Sequence, residues 1–277
     1  MNAVYLSAIG IIIIVLIIII FIRYFNLKPS NDRVWVVDNK ELAFVEFEGE
    51  EVTIKNIRDF NWRSTRDYDE KWIDRKFDMT KVSKIWFILE DFDPKKRQMA
   101  HTIMSFEFED GTRITCSIEV RREIGEKYHP IKGLFRKYEL IYVWATERDS
   151  IGVRGRCRKN SVTHLFEAIV LGEGNERNLL ESYLKRTNKL YEKPEWYNTI
   201  TNTCTTNIVR HVNEVYPGRV PKAVAIFLPG LSPKLLHKNN LVKINNNLEE
   251  SLENSIIDNK ALDWDEKVDF GDHIRKP

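Results

Sequence analysis

The sequence predicts an α+β domain, an antiparallel sheet packed by a late pair of helices, carried behind one N-terminal transmembrane helix. Three observations carry this prediction. The first twenty-odd residues hold a long uncharged run, the middle of the chain is a series of short β-branched and aromatic segments, and helical periodicity begins only after Glu176. The order in sequence, strands first and helices late, points to an antiparallel sheet rather than alternating β-α-β units.

The run from Ala3 to Ile22 contains no charge and is dominated by Ile11–Ile20. About twenty residues at 1.5 Å each span a hydrocarbon core of ~30 Å. A cleaved leader would show a basic start, a shorter apolar core and a small-residue cleavage site. Arg23 and Tyr24 follow the run directly instead, so an uncleaved anchor is predicted. Arg23, Lys28 and Arg33 lie just after the run. By that bias alone, the large domain would stay in the cytoplasm.

The chain divides into an anchor (1–25), a linker (26–40), an α+β domain (41–236) and a polar, loosely held C-terminal extension (237–277). Some 250 residues beyond the anchor suffice for one well-filled core. Lys and Arg number 43 against 41 acidic residues and are dispersed among them, which argues against a nucleic-acid partner. Three cysteines without a C-x-x-C pair argue against a zinc site or a disulfide framework, and no cofactor is predicted. Cys116 and Cys157 read as packed thiols, a bridge between them outside the cell being the alternative.

Strand-like runs are Leu42–Phe47, Val52–Ile57, Ile85–Leu89, "AHTIMSFEFE", "TRITCSIEVRRE", "YELIYVWAT" and "SVTHLFEAIVL". Leu179, Leu180, Tyr183, Leu184, Thr187, Leu190 and Tyr191 then recur at helical spacing until Pro194. A second helix is predicted from Cys204, with Ile208, Val209, Val212 and Val215 on one face before Pro217.

The stretch "HTIMSFEFEDGTRITCSIEVRRE" fixes a register. Met104, Phe106 and Phe108 on one strand and Ile114, Cys116, Ile118 and Val120 on the other are all even-numbered. A one-residue slip would put one of these sets into water. Facing residues must therefore sum to an even number, which a three-residue loop Glu109-Asp110-Gly111 satisfies and a two-residue loop does not. Gly111 then occupies the left-handed position such loops require. In this register Phe106 faces Ile114, Met104 faces Cys116 and His101 faces Glu119. The second face carries His101, Ser105, Thr115, Ser117 and Glu119. That face reads either as a solvated surface with an ordinary His–Glu contact, or as an imidazole whose tautomer a carboxylate holds.

Thr203 is a plausible N-cap that leaves Cys204 in the first helical turn, where free N–H groups and the helix dipole favour a thiolate. His211 is two turns further on, roughly 10 Å away and too distant for proton transfer. His101 is the leading base, and packing remains the other reading of Cys204.

Several segments, "VTIKNIRDF", "AHTIMSF", "FEDG", "SIEVRREIGEKY", "GLFRKYELIYV", "ERDSI", "KPEWYNTI" and "CTTNI", resemble the N-terminal extracytoplasmic domain of Lnb-type lipoprotein N-acyltransferases. The likeness runs from "PSNDR" to about residue 235. It implies a papain-like fold in circularly permuted order, the histidine strand preceding the cysteine helix, and a domain outside the cytoplasmic membrane. By position, Cys204 matches the family's cysteine and His101 its histidine, while Ser117, Glu119, Arg121 and Arg122 match the polar strand that follows. The resemblance thus implies Cys204, His101 and Glu119 as catalytic residues. Ser117, Arg121 and Arg122 become candidates for substrate contact, the arginines for a lipid phosphate or carboxylate. Where the family places Asn directly before Cys, this chain has Thr203 between Asn202 and Cys204.

The function expected is a membrane-anchored cysteine acyltransferase of the cell envelope, acting on a membrane lipid or lipoprotein through an S-acyl enzyme. An envelope cysteine peptidase or amidase, and a non-catalytic binding domain, are the alternatives.

Overall fold

The β7–β8 hairpin organises the domain, and it has the register the apolar pattern demands. Strand β7 (Ala100–Phe108) pairs antiparallel with β8 (Arg113–Arg121), Phe106 opposite Ile114 and Met104 opposite Cys116. The Gly111 N–H closes the turn on the Phe108 carbonyl at 2.9 Å, and Gly111 has φ +81°. A computed structural model describes residues 3–93, 99–221, 229–244 and 247–276, with backbone only for residues 3–10, 17, 20 and 23.

The remaining strands are β1 (Phe44–Glu48), β2 (Glu51–Arg58), β3 (Asn61–Trp62), β4 (Tyr68–Asp69), β5 (Trp72–Asp78), β6 (Val82–Asp91), β9 (Glu139–Ala145) and β10 (Val162–Glu167). The main sheet has the order β1-β2-β9-β8-β7-β6-β10, with β5 also paired to β2 and β3-β4 forming a separate ribbon. Every pairing in the main sheet is antiparallel except the short β2–β9 contact. The helices are α1 (Ala3–Asn26), α2 (Glu147–Ser150), α3 (Gly152–Cys157), α4 (Asn175–Glu192), α5 (Cys204–Val215), α6 (Ser232–Lys238), α7 (Leu248–Asn254), α8 (Asp258–Leu262) and α9 (Phe270–Arg275). The α+β class with a largely antiparallel sheet and two late helices is as the periodicity predicts; β5 lies in a run too charged to read as a strand.

Helix α1 covers the uncharged run, and its described apolar side chains, Ile11–Leu16 among them, are exposed. Among the described residues, no helix is long and apolar enough to cross a membrane. The helix expected at the N-terminus is present, and its crossing of a bilayer is not shown by the fold.

Helices α4 and α5 cover the even-numbered face of the hairpin. Leu179, Leu180, Tyr183 and Leu184 of α4 and Ile208 of α5 join Met104, Phe106, Cys116 and Trp144 in the main core. The opposite face is not solvated: Ser105, Thr115 and Ser117 are fully buried. Helices α2 and α3 and the C-terminal residues lie over it. Ile257, Ala261, Phe270 and Ile274 pack with Ile88, Ile103 and Ile151 in a second core. Helices α3 and α8 approach so closely that a Cβ on Gly155 would stand 2.9 Å from that of Ala261. Arg275 grips the carboxylate of Glu147 with two bonds of 2.7 Å, and Glu147 also accepts from Ser105 Oγ at 2.6 Å.

The segment 237–277 is therefore no loose extension. Leu241, Val242, Ile257, Ala261, Phe270 and Ile274, spaced among Asn, Asp and Glu, turn inward, while Ile256 and Leu262 stay exposed. Cys116, Cys157 and Cys204 are free thiols, so the Cys116–Cys157 bridge does not form. Truncating Phe270 to Ala should cost about 3–5 kcal/mol, the usual penalty for deleting a buried aromatic ring. Urea unfolding of the variant measures this, and a loss within experimental error would mean the segment is not part of the core.

Candidate active site

Cys204 opens α5, and the local sequence explains why the helix begins there. Thr203 is extended (φ −105°, ψ 179°), its hydroxyl accepts from the Thr206 N–H, and the Thr206 hydroxyl accepts from the Thr203 N–H in return. The capping box takes up the Thr206 N–H, and the N–H groups of Cys204 and Thr205 ahead of it have no partner within the helix. Cys204 is buried at the positive end of the dipole.

Burial alone would push the Cys204 thiol up. The charge of His101, a hydrogen bond from it, and the hydroxyl and backbone N–H of Thr102 together outweigh burial, and the thiol falls to about 6. His101 lies near the start of β7, and the adjoining residue Thr102 meets the next helical residue, Thr205, at 3.2 Å between hydroxyls. Cys204 thus stands at a helix terminus and His101 on the hairpin, where the sequence places them, while Thr102 is a further donor with no signal in the sequence.

The imidazole is held from behind. His101 Nε2 lies 2.7 Å from Ser117 Oγ, and Ser117 Oγ donates to Glu119 Oε1 at 2.7 Å. The direct His101–Glu119 distance is 3.8 Å. The expected facing pair is thus bridged by Ser117, whose hydroxyl links imidazole to carboxylate rather than facing outward for a substrate. With Nε2 engaged, Nδ1 is the ring nitrogen left for the thiol.

Glu119 is largely withdrawn from water, which favours its neutral form, but Arg154, His101 and Arg58 hold it ionised well below the usual carboxylate range. Arg154 Nη2 donates to Glu119 at 3.0 Å and its Nε to Glu90 at 3.0 Å; Arg158 also donates to Glu90 at 2.7 Å. Glu90 stands opposite His101 in the β6–β7 ladder. Arg154 and Glu90 gave no sequence signal, because "GVRGRCRKN" reads as a solvated basic run until α3 is seen lying on the sheet.

Arg121 and Arg122 are placed elsewhere. Arg121 is buried, donates to the carbonyls of Asn39 and Lys40 at 2.9 and 2.6 Å, and lies 4.3 Å over the Trp35 ring. Its guanidinium ties the linker to the sheet and is not presented to a substrate. Arg122 pairs with Asp38 at 3.0 Å. Asn202 is likewise committed, donating to the Trp196 carbonyl and accepting from Asn207. Both ends of its amide are thus engaged, one in the turn ahead of α5 and one by α5 itself. His211 is buried between Tyr142 (2.9 Å) and Ser182 (2.7 Å), and burial with nearby Arg186 and Arg210 lowers it to about 3. It is a neutral packing residue, as the helical distance required.

Beside the site, an apolar cavity of about 100 Å³ runs between α5 and the sheet, its wall including Phe87, Met104, Thr205, Ile208, Val212 and Leu236. Thr205, which adjoins Cys204 in sequence, is part of that wall.

Thiolate absorbance near 240 nm, taken as wild type minus Cys204→Ser, should titrate with a midpoint near 6. The thiolate is then the form above that pH and the thiol the form below it. His101→Ala removes the charge that lowers the thiol and should move the midpoint up by more than one pH unit, and Ser117→Ala should move it in the same direction by less. A wild-type midpoint at the ordinary thiol value of about 8.5 would contradict this electrostatic picture.

No curated protein and no solved structure matches the chain. Residues 68–229 match the family described as the Lnb N-terminal periplasmic domain, a span that contains His101, Ser117, Glu119 and Cys204. That description places the globular domain outside the cytoplasmic membrane, against the weak basic bias after α1. Because the match covers more than half its length, this chain belongs to the family of Lnb N-terminal periplasmic domains.

Proposed function

We propose that the domain is a cysteine acyltransferase of the cell envelope, held at the membrane by α1 and acting on an acyl ester of a lipid or lipoprotein. The observation that carries this reading is the low Cys204 thiol at a helix N-terminus, with His101 beside it and an apolar cavity alongside. A nucleophile, a base oriented by a second group and a set of free N–H donors are what acyl transfer needs. An apolar cavity whose wall includes Thr205, the neighbour of Cys204, suits an acyl chain better than a peptide backbone, which would call for polar partners.

In the first half-reaction, His101 takes the thiol proton and the Cys204 sulfur attacks the ester carbonyl. The oxyanion forms against the N–H groups at the start of α5. Collapse breaks the bond to the alcohol oxygen, His101 returns the proton to that oxygen, and the acyl group remains on sulfur. In the second, an amine attacks the thioester, gives its proton to His101, and leaves as an amide while the thiolate is released. Ser117 and Glu119 act as positioning residues, holding one tautomer of His101 and balancing its charge through both steps.

The histidine strand precedes the cysteine helix in the chain, the order of a circularly permuted papain-like enzyme. The anchoring part of the proposal rests on α1. Twenty-four residues in a helix extend about 36 Å, and an exposed row of Ile, Leu and Phe needs an apolar surrounding.

Mass spectrometry of lipoprotein N-termini, from cells carrying the wild-type or the Cys204→Ala protein as sole copy, tests the reading. Loss of N-acylation in the variant is expected, since removing a nucleophile lowers turnover by roughly 10⁶-fold in serine proteases. Identical acylation in the two strains would rule lipoprotein acyl transfer out.

A further inference from the structure

Three segments meet at the end of the sheet that carries Cys204, and each leaves a large apolar side chain in water. The connection 122–137 between β8 and β9 exposes Ile124 (66 %), Ile131 (61 %) and Phe135 (61 %). The chain following α1 exposes Val34 (70 %), and the Ile124 N–H donates to the Val34 carbonyl at 3.0 Å. The turn ahead of α5 exposes Ile200.

These segments are fastened together. Thr199 Oγ1 donates to the Pro130 carbonyl at 2.7 Å, and Gly133 packs so tightly that a Cβ there would lie 2.3 Å from Thr199 Oγ1. Arg136 donates to the Tyr24 carbonyl at 3.0 Å and lies 4.5 Å over the Tyr24 ring, so the same connection holds the C-terminal end of α1. The result is one apolar rim around the point where α1 joins the domain.

The charges on this rim select its partner. Lys127 and Lys132 are exposed and form no ion pair among the described residues, whereas the acidic Glu126 is paired with Lys137. Apolar tips set among free lysines are unlike the core of a protein–protein interface, from which lysine is depleted. They suit a bilayer surface, where apolar side chains enter the headgroup boundary and anionic lipids attract each lysine.

We infer that the rim formed by Ile124, Ile131, Phe135 and Ile200 docks on the surface of the bilayer that α1 enters, with Lys127 and Lys132 against anionic headgroups. This rests on the anchoring reading of α1. Cys204, in the segment that follows Ile200, is thereby held at the level of the lipid ester carbonyls, and the substrate reaches it without leaving the membrane.

The test uses the full chain with Cys157→Ser and Cys204→Ser; Cys116 is buried and does not label. Ile131→Cys, or Phe135→Cys as a second variant, carries an environment-sensitive nitrobenzoxadiazole label. Asp110→Cys, at the hairpin tip on the far end of β7 and β8, is the control. Each protein is reconstituted into phosphatidylcholine–phosphatidylglycerol vesicles containing lipid with a doxyl quencher high on the acyl chain. The proposal expects loss of most of the fluorescence at position 131 or 135 and none at 110. Equal, water-like fluorescence at all three positions in vesicle-bound protein overturns the docking and leaves the anchor standing. A label that is blue-shifted in detergent and vesicles alike, yet unquenched, means a second copy covers the rim, and likewise overturns it. Protein that fails to float with the vesicles overturns anchor and docking together.

Discussion

The ion pair between Arg154 and Glu119, shut between the sheet and the helical layer above it, is the interaction on which the site depends. Half-buried Glu119 keeps its charge because the buried Arg154 reaches it, and Arg154 is itself balanced by the buried Glu90. Breaking a buried pair by removing one partner typically costs about 3–5 kcal/mol, far more than a surface bridge. A chain of hydrogen bonds leads outward from the Arg154–Glu119 pair, Glu119 to Ser117 and Ser117 to His101, whose charge in turn lowers the Cys204 thiol. A fold that omitted α3 would leave the same four residues in place without Arg154, the foremost of the charges that keep the carboxylate ionised.

That arrangement explains why one sheet has two dissimilar faces, both buried. The even-numbered face of the hairpin packs Phe106, Cys116 and Trp144 against α4 and α5 by apolar area alone. The odd-numbered face, Ile103 apart, is built of hydroxyls and charges that call for partners. Ser105 meets Glu147, Thr115 meets Ser150, and Glu147 is closed by Arg275 from the end of the chain. The C-terminal residues are thus part of what isolates the ionic layer from water, and the site depends on both ends of the domain.

What could be read from the sequence follows the range of the forces involved. The hairpin register was legible because alternation of apolar residues is local and a slip is heavily penalised, and it brought His101, Ser117 and Glu119 to one face. The start of α5 was legible because capping is local too. The cover over the polar face was not: Ser, Thr and Glu alternating on a strand look the same whether water or an arginine meets them. Arg121 misled for the same reason in reverse, a strand-end arginine that seemed free for ligand being consumed by the carbonyls of Asn39 and Lys40. The tail was misjudged because Ile257, Phe270 and Ile274 are few, and only their common direction reveals a core.

Intact mass of the purified protein after exposure to an acyl-ester lipid, quenched in acid, tests the central claim most directly. The account predicts a gain equal to one acyl chain, removed by hydroxylamine, present in the wild type and lacking in Cys204→Ala. The same gain in both proteins, or none in a wild type whose thiol titrates near 6, would contradict the assignment of Cys204 as the nucleophile.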